Sequence, residues 1–430
     1  MIYYVFGTII RFFFQMFYKR VYLQGFENIP DGKPVILAAD HTNALMDPLL
    51  VAIFLLKKRP IYFLTRADIF SNKFFIWFFG QIHMQPIYRP RDGTDYTEKN
   101  NKTFEEVNRW LLSKKVVLIF PEGSTEVMKR LRPLKKGTVR MGFKAWEDGA
   151  DVHIVPTGIS YTYHHGIRSE AIISYGKPMR LEDYRADFEE NPKKAYRLAG
   201  QDLFQLIQAE MVVIDKPESE DLVEKMLTIG RNDFLEPRFP IMAINPRRLP
   251  YEQRIARKVN ELAEADSEGF KELESKANTY FKTINTLSTT DNAVKNYKKA
   301  NSFMVLLLAP FAKLLAVVLH FPMKYFKEMA TKMMVRDMSM FTTIWTGLIM
   351  GFYFVFGLVW LILGISFLGL VVGIGSLVIF VFLTYWSGVI LENRKLDKAN
   401  AFLEGVETKS PDKVKALEDM RLELSKWIRS

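Results

Sequence analysis

Between Val21 and about Asp215, short apolar runs alternate with longer stretches whose apolar residues recur at helical spacing. The runs Val35–Ala39, Ile61–Leu64, Val116–Phe120, Ile154–Tyr161 and Ala171–Tyr175 are compact and bounded by turn residues, which predicts strands. Leu49–Leu56, Lys73–Phe79, Thr97–Ser113, Gly137–Trp146 and Pro192–Gln208 read as helices. Strands alternating with helices predict an α/β sheet domain over residues 21–215, with ligands at the carboxyl ends of the strands.

The pattern changes on either side. Residues 1–20 open with an apolar, aromatic run broken by Arg11 and closed by Lys19-Arg20, without a small-residue cleavage site. This predicts a membrane-contacting helix or one packed on the domain. Residues 216–300 are mostly polar and form a helical extension, with Glu252–Ala265 and Phe270–Leu287 as surface helices. In segment 301–336, the apolar stretch Phe303–Met323 contains Pro310, Lys313 and His320, which suits an interfacial or re-entrant path better than a crossing.

Residues 338–391 contain no charged side chain, a run more than twice the roughly 20 residues that one span requires. A break near Gly364–Gly369 predicts a transmembrane pair, Phe341–Leu363 and Ser366–Ile390, with small-residue spacings at Gly347–Gly351 and Gly369–Gly373. Lys332 and Arg336 precede the pair, and Arg394 and Lys395 follow it. The positive-inside rule then puts both flanks in the cytoplasm, including a helical tail over 392–430. The expectation is an integral membrane protein with its catalytic domain and carboxyl terminus cytoplasmic.

Composition narrows the chemistry. The 430 residues include no cysteine, which excludes disulfides and thiolate metal sites, and the six histidines form no metal-ligand cluster. No cofactor is expected. The net charge of +11 fits an anionic membrane face or an anionic substrate. A nucleic-acid partner is not expected, since the basic residues are not interleaved with a binding motif.

One turn carries reactive groups. After Val35–Ala39 comes Asp40-His41-Thr42-Asn43-Ala44-Leu45-Met46-Asp47-Pro48. Asp47-Pro48 reads as an N-cap with Pro at the first helical position, which leaves His41 on the turn. A carboxylate so close can accept the imidazole Nδ1–H and leave Nε2 to take a proton from a substrate hydroxyl. The plainer reading is an ordinary cap beside an ordinary turn histidine.

A second turn, Phe120-Pro121-Glu122-Gly123-Ser124-Thr125-Glu126, follows a buried-strand pattern and offers a carboxylate, hydroxyls and amides to a polyol or an anion. Lys129, Arg130, Arg132, Lys135, Lys136 and Arg140 come next, either a phosphate-binding run or a solvated face. Between the two turns, Gly80 to Arg89 ends in a guanidinium suited to phosphate, with Arg91 nearby. Val155-Pro156 could line an acyl groove.

Four blocks in this order resemble the glycerolipid acyltransferase family: His41…Asp47, Gly80…Arg89, Phe120–Gly123 and Val155-Pro156. Three departures stand out. Five residues separate His41 from Asp47 where the family commonly has four. Ser124-Thr125-Glu126 replace the usual Thr-Arg-Ser, so Lys135, Lys136 or Arg130 would have to supply the missing cation. The gap from Gly80 to Arg89 is also longer than usual. The longer His–Asp gap and the carboxy-terminal membrane pair resemble the branch acting on glycerol 3-phosphate or dihydroxyacetone phosphate.

The resemblance implies a mixed sheet flanked by helices and an acyl transfer from acyl-CoA or acyl carrier protein to a phosphorylated glycerol at the bilayer. It implies His41 and Asp47 as catalytic residues, with Arg89, Glu122, Gly123, Ser124, Lys135 and Lys136 binding substrate. Acylation of lysophosphatidate or another lysophospholipid is the alternative within enzymes. A non-catalytic membrane lipid-binding protein is the alternative outside them.

Overall fold

The computed structural model describes residues 2–55, 59–70, 72–89, 92–93, 95–164, 168–234, 240–297, 325–332 and 341–430. Phe303–Met323 and Arg91 lie outside them. The chain divides into two compact units, Met1–Val213 with Phe239–Pro250, and Ile214–Arg238 with Tyr251–Ser430.

The first unit is α/β. Its elements in order are α1 (Ile2–Phe17), β1 (Arg20–Gln24), β2 (Val35–Ala39), α2 (Met46–Leu55), β3 (Ile61–Arg66), α3 (Lys73–Gln81), β4 (Met84–Ile87) and α4 (Tyr96–Leu112). Then come β5 (Val116–Ile119), α5 (Gly137–Glu147), β6 (His153–Tyr161), β7 (Glu170–Tyr175), β8 (Met179–Arg180), α6 (Arg185–Glu190), α7 (Pro192–Ala209) and β9 (Met242–Ile244). The sheet runs β4-β3-β5-β2-β6-β7-β1-β9, with β8 beside β6. Neighbours from β4 to β6 are parallel, and β7 pairs antiparallel to β6, so the sheet is mixed.

Central position explains the apolar runs. All five residues of β2 are buried, because a parallel strand covered on both faces has no solvent side. Ile36, Ala38, Val117, Ile119 and Ile154 pack with Val107, Phe143, Leu203 and Ile207 from α4, α5 and α7. Helix α1 packs through Tyr3, Ile10, Phe14 and Phe17, and the Tyr3 hydroxyl accepts from Ile61 N at 2.9 Å. One face of the first helix lies on the domain.

Four strands carry no clean run in the sequence. β4 contains Pro86, which strand patterns reject, yet β4 is the edge of the sheet, where a missing N–H costs no ladder bond. β9 sits at the opposite edge, inside the proline-interrupted part of the expected extension, and pairs parallel with β1.

The second unit is helical: Glu220–Asp233, Arg248–Ala265, Ser267–Thr286, Asp291–Lys295, Phe341–Leu368, Leu370–Lys409 and Pro411–Arg429. Here Arg421 donates from Nε to Asp291 at 2.9 Å and from its terminal nitrogen to Asp233 at 2.8 Å, tying the last helix into the unit. Ile344–Leu368 is long and apolar enough to cross a membrane, the one such helix among the described residues. The break falls at Gly369, whose φ of 80° suits glycine, so the first helix runs past the expected end at Leu363. The close crossing pairs Gly364 with Gly373, where an added Cβ would lie 3.0 Å from the opposing Cα. Among the described residues, nothing lies within 4 Å of a Cβ at Gly347 or Gly351.

Gly158 of β6 supplies a stability test. A Cβ there would stand 1.8 Å from the backbone oxygen of Glu210, just past α7, and no rotamer can relieve a clash with main chain. Gly158→Ala should cost at least about 2 kcal/mol, at the upper end of overpacking effects, read as a fall in urea midpoint.

Candidate active site

Register brings the two polar turns together. β2 and β5 pair Ala38 with Ile119, so three residues onward His41 falls beside Glu122. Ala39 pairs with Thr157 on the other side, which sets β6 and its last residue, Tyr161, against the same turn.

His41 Nδ1 lies 2.9 Å from Asp47 Oδ2. The same oxygen accepts from the backbone N–H groups of Thr42 at 2.9 Å and Asn43 at 2.8 Å, while Oδ1 accepts from the Tyr161 hydroxyl at 2.6 Å. A carboxylate so placed makes Nδ1 the donor and leaves Nε2 as the basic nitrogen. Among the described residues, Nε2 has no hydrogen-bond partner. The Asp47 side chain is 0% exposed and that of His41 16%, so the carboxylate is sealed and the imidazole reaches solvent. The Phe120 ring stacks on the imidazole with centroids 4.0 Å apart.

Asp47 is therefore inside the first turn of α2, and it caps the preceding turn rather than its own helix. Within the five-residue gap Ala44 adopts φ 31°, at the edge of the left-handed region. Burial, then Asp47, keep the Tyr161 hydroxyl well above its ordinary pKa, so it remains a donor.

Glu122 behaves differently from the expectation that it meets a polyol. Its side chain is 3% exposed and both oxygens are taken within the protein. Oε1 accepts from His41 N at 2.7 Å, and Oε2 from Arg132 N at 3.2 Å and Arg132 Nε at 2.8 Å. Arg132 also donates to Ser124 Oγ at 2.7 Å and to the Ser124 carbonyl. Gly123 at φ 76° makes the sharp bend, and the Lys135 stem packs 3.4 Å from where its Cβ would be. Lys135 N donates to Pro121 O at 2.7 Å; the side chains of Lys135 and Lys136 are exposed.

The sequence reading missed Arg132 and Tyr161. Arg132 belonged to a basic run in which nothing singled it out, and Tyr161 is the last residue of a strand. Arg89 is not brought to His41. It follows β4, three strands from β2, or about 14 Å along the sheet edge. Its guanidinium donates to Asp68 at 3.0 Å and Asp92 at 3.2 Å. Val155-Pro156 are buried in β6. A small, partly open apolar hollow lies against Phe6 and Ile10 of α1, Leu49 and Ile53 of α2, Phe63 and Met84.

Asp40, next to His41, is fully buried. Oδ1 accepts from Ile159 N at 2.7 Å, and Oδ2 has no partner among the described residues. Burial, then the charges of Asp47 and Glu122, raise its pKa well above the usual carboxyl value.

Two stability tests follow. Removing one member of a buried ion pair costs roughly 3–5 kcal/mol. Because Arg132 is partly exposed, Arg132→Ala should cost about 2 kcal/mol, and Glu122→Gln in the same chain should recover part of it in a double-mutant cycle. For Asp40 the folded pKa lies above the unfolded value of about 3.9, so its contribution falls as pH rises from there through the folded value. The stability of Asp40→Asn relative to the parent should therefore climb over that window in urea melts; a pH-independent difference would contradict it.

Residues 20–160 match the family model described as Acyltransferase. Glycerol-3-phosphate O-acyltransferase 2 of Saccharomyces cerevisiae is 34% identical over 104 residues, covering 23% of this chain and 14% of that protein. Glycerol-3-phosphate O-acyltransferase 1 of the same yeast is 37% identical over 65 residues, covering 15% and 9%. The match thus spans about one seventh or less of these relatives' length. The crystal structure of the 1-acyl-sn-glycerophosphate acyltransferase of Thermotoga maritima aligns with 48% of this chain and 79% of its own, at 18% identity and a TM-score of 0.35. The strand-end turns built around His41, Asp47 and Glu122 all fall in the matched segment: residues 20–160 are an acyltransferase-family domain.

Proposed function

We propose that this chain is a membrane-bound O-acyltransferase that moves a fatty acyl group from a thioester to a hydroxyl of glycerol 3-phosphate or dihydroxyacetone phosphate. Acyl-CoA and acyl carrier protein are the candidate donors. The observation that carries the reading is the His41–Asp47 pair at 2.9 Å, exposed only through the imidazole and set beside a basic loop. The yeast relatives, both glycerol-3-phosphate O-acyltransferases, favour the same acceptor.

His41 Nε2 removes the proton as the acceptor oxygen attacks the thioester carbonyl. The tetrahedral adduct expels the thiolate, which takes the proton back from the imidazolium, leaving an ester, a free thiol and a neutral His41. Asp47, held by two amides and Tyr161, orients the ring and stabilises its charged form. No acyl-enzyme is required, and the sequence has no G-x-S-x-G elbow.

Lys135 and Lys136 are the exposed cations beside this loop and are assigned to the phosphate, with Gly123 and Ser124 shaping the turn. Glu122 and Arg132 hold the loop against His41. Arg89, engaged by two carboxylates, is a weaker candidate for phosphate.

A long-chain product belongs in a bilayer. The apolar pair from Phe341 onward would hold the chain there, and the basic flanks favour a cytoplasmic catalytic domain. A second reading, acylation of lysophosphatidate, is favoured by the partial neutralisation of Arg132 by Glu122 and Glu126.

The test is turnover by purified chain with palmitoyl-CoA and palmitoyl-carrier protein, each offered glycerol 3-phosphate, dihydroxyacetone phosphate or lysophosphatidate. Transfer to either phosphorylated glycerol, lowered at least about 10²-fold in His41→Ala, is expected. Transfer to lysophosphatidate alone moves the reading to the second acceptor. Loss below tenfold in the mutant removes His41 as base, and no transfer to any acceptor overturns the enzyme reading.

A further inference from the structure

Helix α3 has the sequence Lys73-Phe74-Phe75-Ile76-Trp77-Phe78-Phe79-Gly80-Gln81 and not one buried residue. Five of its nine residues are aromatic. Phe74 is 62% exposed, Ile76 54% and Trp77 53%, values a soluble surface seldom gives to consecutive large apolar side chains. The rings stack along the helix instead, Phe74 on Phe78 and Phe75 on Phe79, which stiffens the face without covering it.

The patch does not end with α3. Phe78 meets Phe6 of α1 edge to face with centroids 5.4 Å apart, and on α1 Tyr4, Val5 and Phe12 are 49%, 54% and 39% exposed. α1 packs its other side on the domain, so what faces out is surplus to that packing. Neither helix carries an acidic residue; their only charges are Arg11 and Lys73.

We propose that the joined outer faces of α3 and α1 dock the acyltransferase domain on an anionic lipid surface, with Phe74, Ile76 and Trp77 entering the region between headgroups and acyl chains. The chemistry selects this occupant. Phe, Trp and Tyr on two helices that each carry one cation and no acidic residue match the interface of a bilayer that carries negative headgroups. The chain also holds a helix of membrane-crossing length, so a bilayer is present wherever that helix is inserted. The inference rests on that membrane reading but not on acyl transfer. It gives the domain a contact of its own, separate from the apolar helices of the second unit.

The absence of cysteine makes the test direct. Single cysteines are introduced in the full chain as Phe74→Cys, Trp77→Cys, Leu358→Cys on the apolar helix, and Glu189→Cys on α6, where the side chain is 65% exposed. Each is nitroxide-labelled and reconstituted into vesicles of phosphatidylcholine and phosphatidylglycerol, after thermal melts establish that folding matches the parent. Collision with oxygen and with a soluble nickel chelate is then measured by electron paramagnetic resonance.

The expected result is an oxygen-to-nickel ratio at 74 and 77 several-fold above that at 189 and below that at 358. A ratio at 74 and 77 equal to that at 189, with 358 in lipid, overturns the docking face alone. Water-like ratios at all four positions overturn it together with the membrane reading. Dipolar broadening at 77 that disappears on dilution with unlabelled chain overturns it in favour of a second copy covering the patch.

Discussion

One carboxylate oxygen governs the first unit. Asp47 Oδ2 gathers the imidazole N–H of His41 and two backbone N–H groups of the turn that carries His41. That convergence fixes the turn and the ring by the same bonds, so base orientation does not depend on a flexible rotamer. It also sets what must surround it: a carboxylate with no solvent contact needs its second oxygen satisfied, which Tyr161 does, and needs a strand at that position to bring Tyr161 in. The β2–β6 pairing supplies the strand, and the β2–β5 pairing brings Glu122 to bind the His41 amide from the other side. The sheet register is thus the site's positioning device.

Acidic groups accumulate as a result. Asp40, Asp47 and Glu122 are all buried around the His41 turn, and Arg132 pairs directly with Glu122. The raised pKa of Asp40 is the relief: its carboxyl holds its proton more readily than a third anion could be tolerated there. The basic loop next to this cluster leaves Lys135 and Lys136 exposed.

The sequence was most informative where one physical demand dominates. Val35–Ala39 has to be apolar throughout because it is central and parallel, and that is visible in the sequence; the His41 turn and the Phe120–Gly123 turn follow from where such strands end. β4 and β9 were not legible because edge strands are short and tolerate Pro86 or isolated apolar residues. The partners that Glu122 has within the protein were not legible for a related reason. A carboxylate at a strand end can serve a ligand or a neighbouring turn, and the choice depends on Arg132 reaching back ten residues, which no local pattern encodes. In the second unit the run of apolar residues was plain, but the helix break was set by Gly369 and the crossing by Gly364 with Gly373, a pairing between helices that spacing along one helix does not report.

The edge strand β9 has a consequence for how the molecule is made. The sheet that holds the site is finished by Met242–Ile244, which pair with Val21–Leu23 from the beginning of the chain. Between β7 and β9 the ribosome must add the segment that forms Glu220–Asp233, several seconds of synthesis at about 5–20 residues per second. Throughout that interval the open side of β1 offers unpaired backbone groups to any other extended chain. Chaperone demand during translation, rather than stability once folded, is therefore the cost of closing a sheet with a strand borrowed from so far downstream.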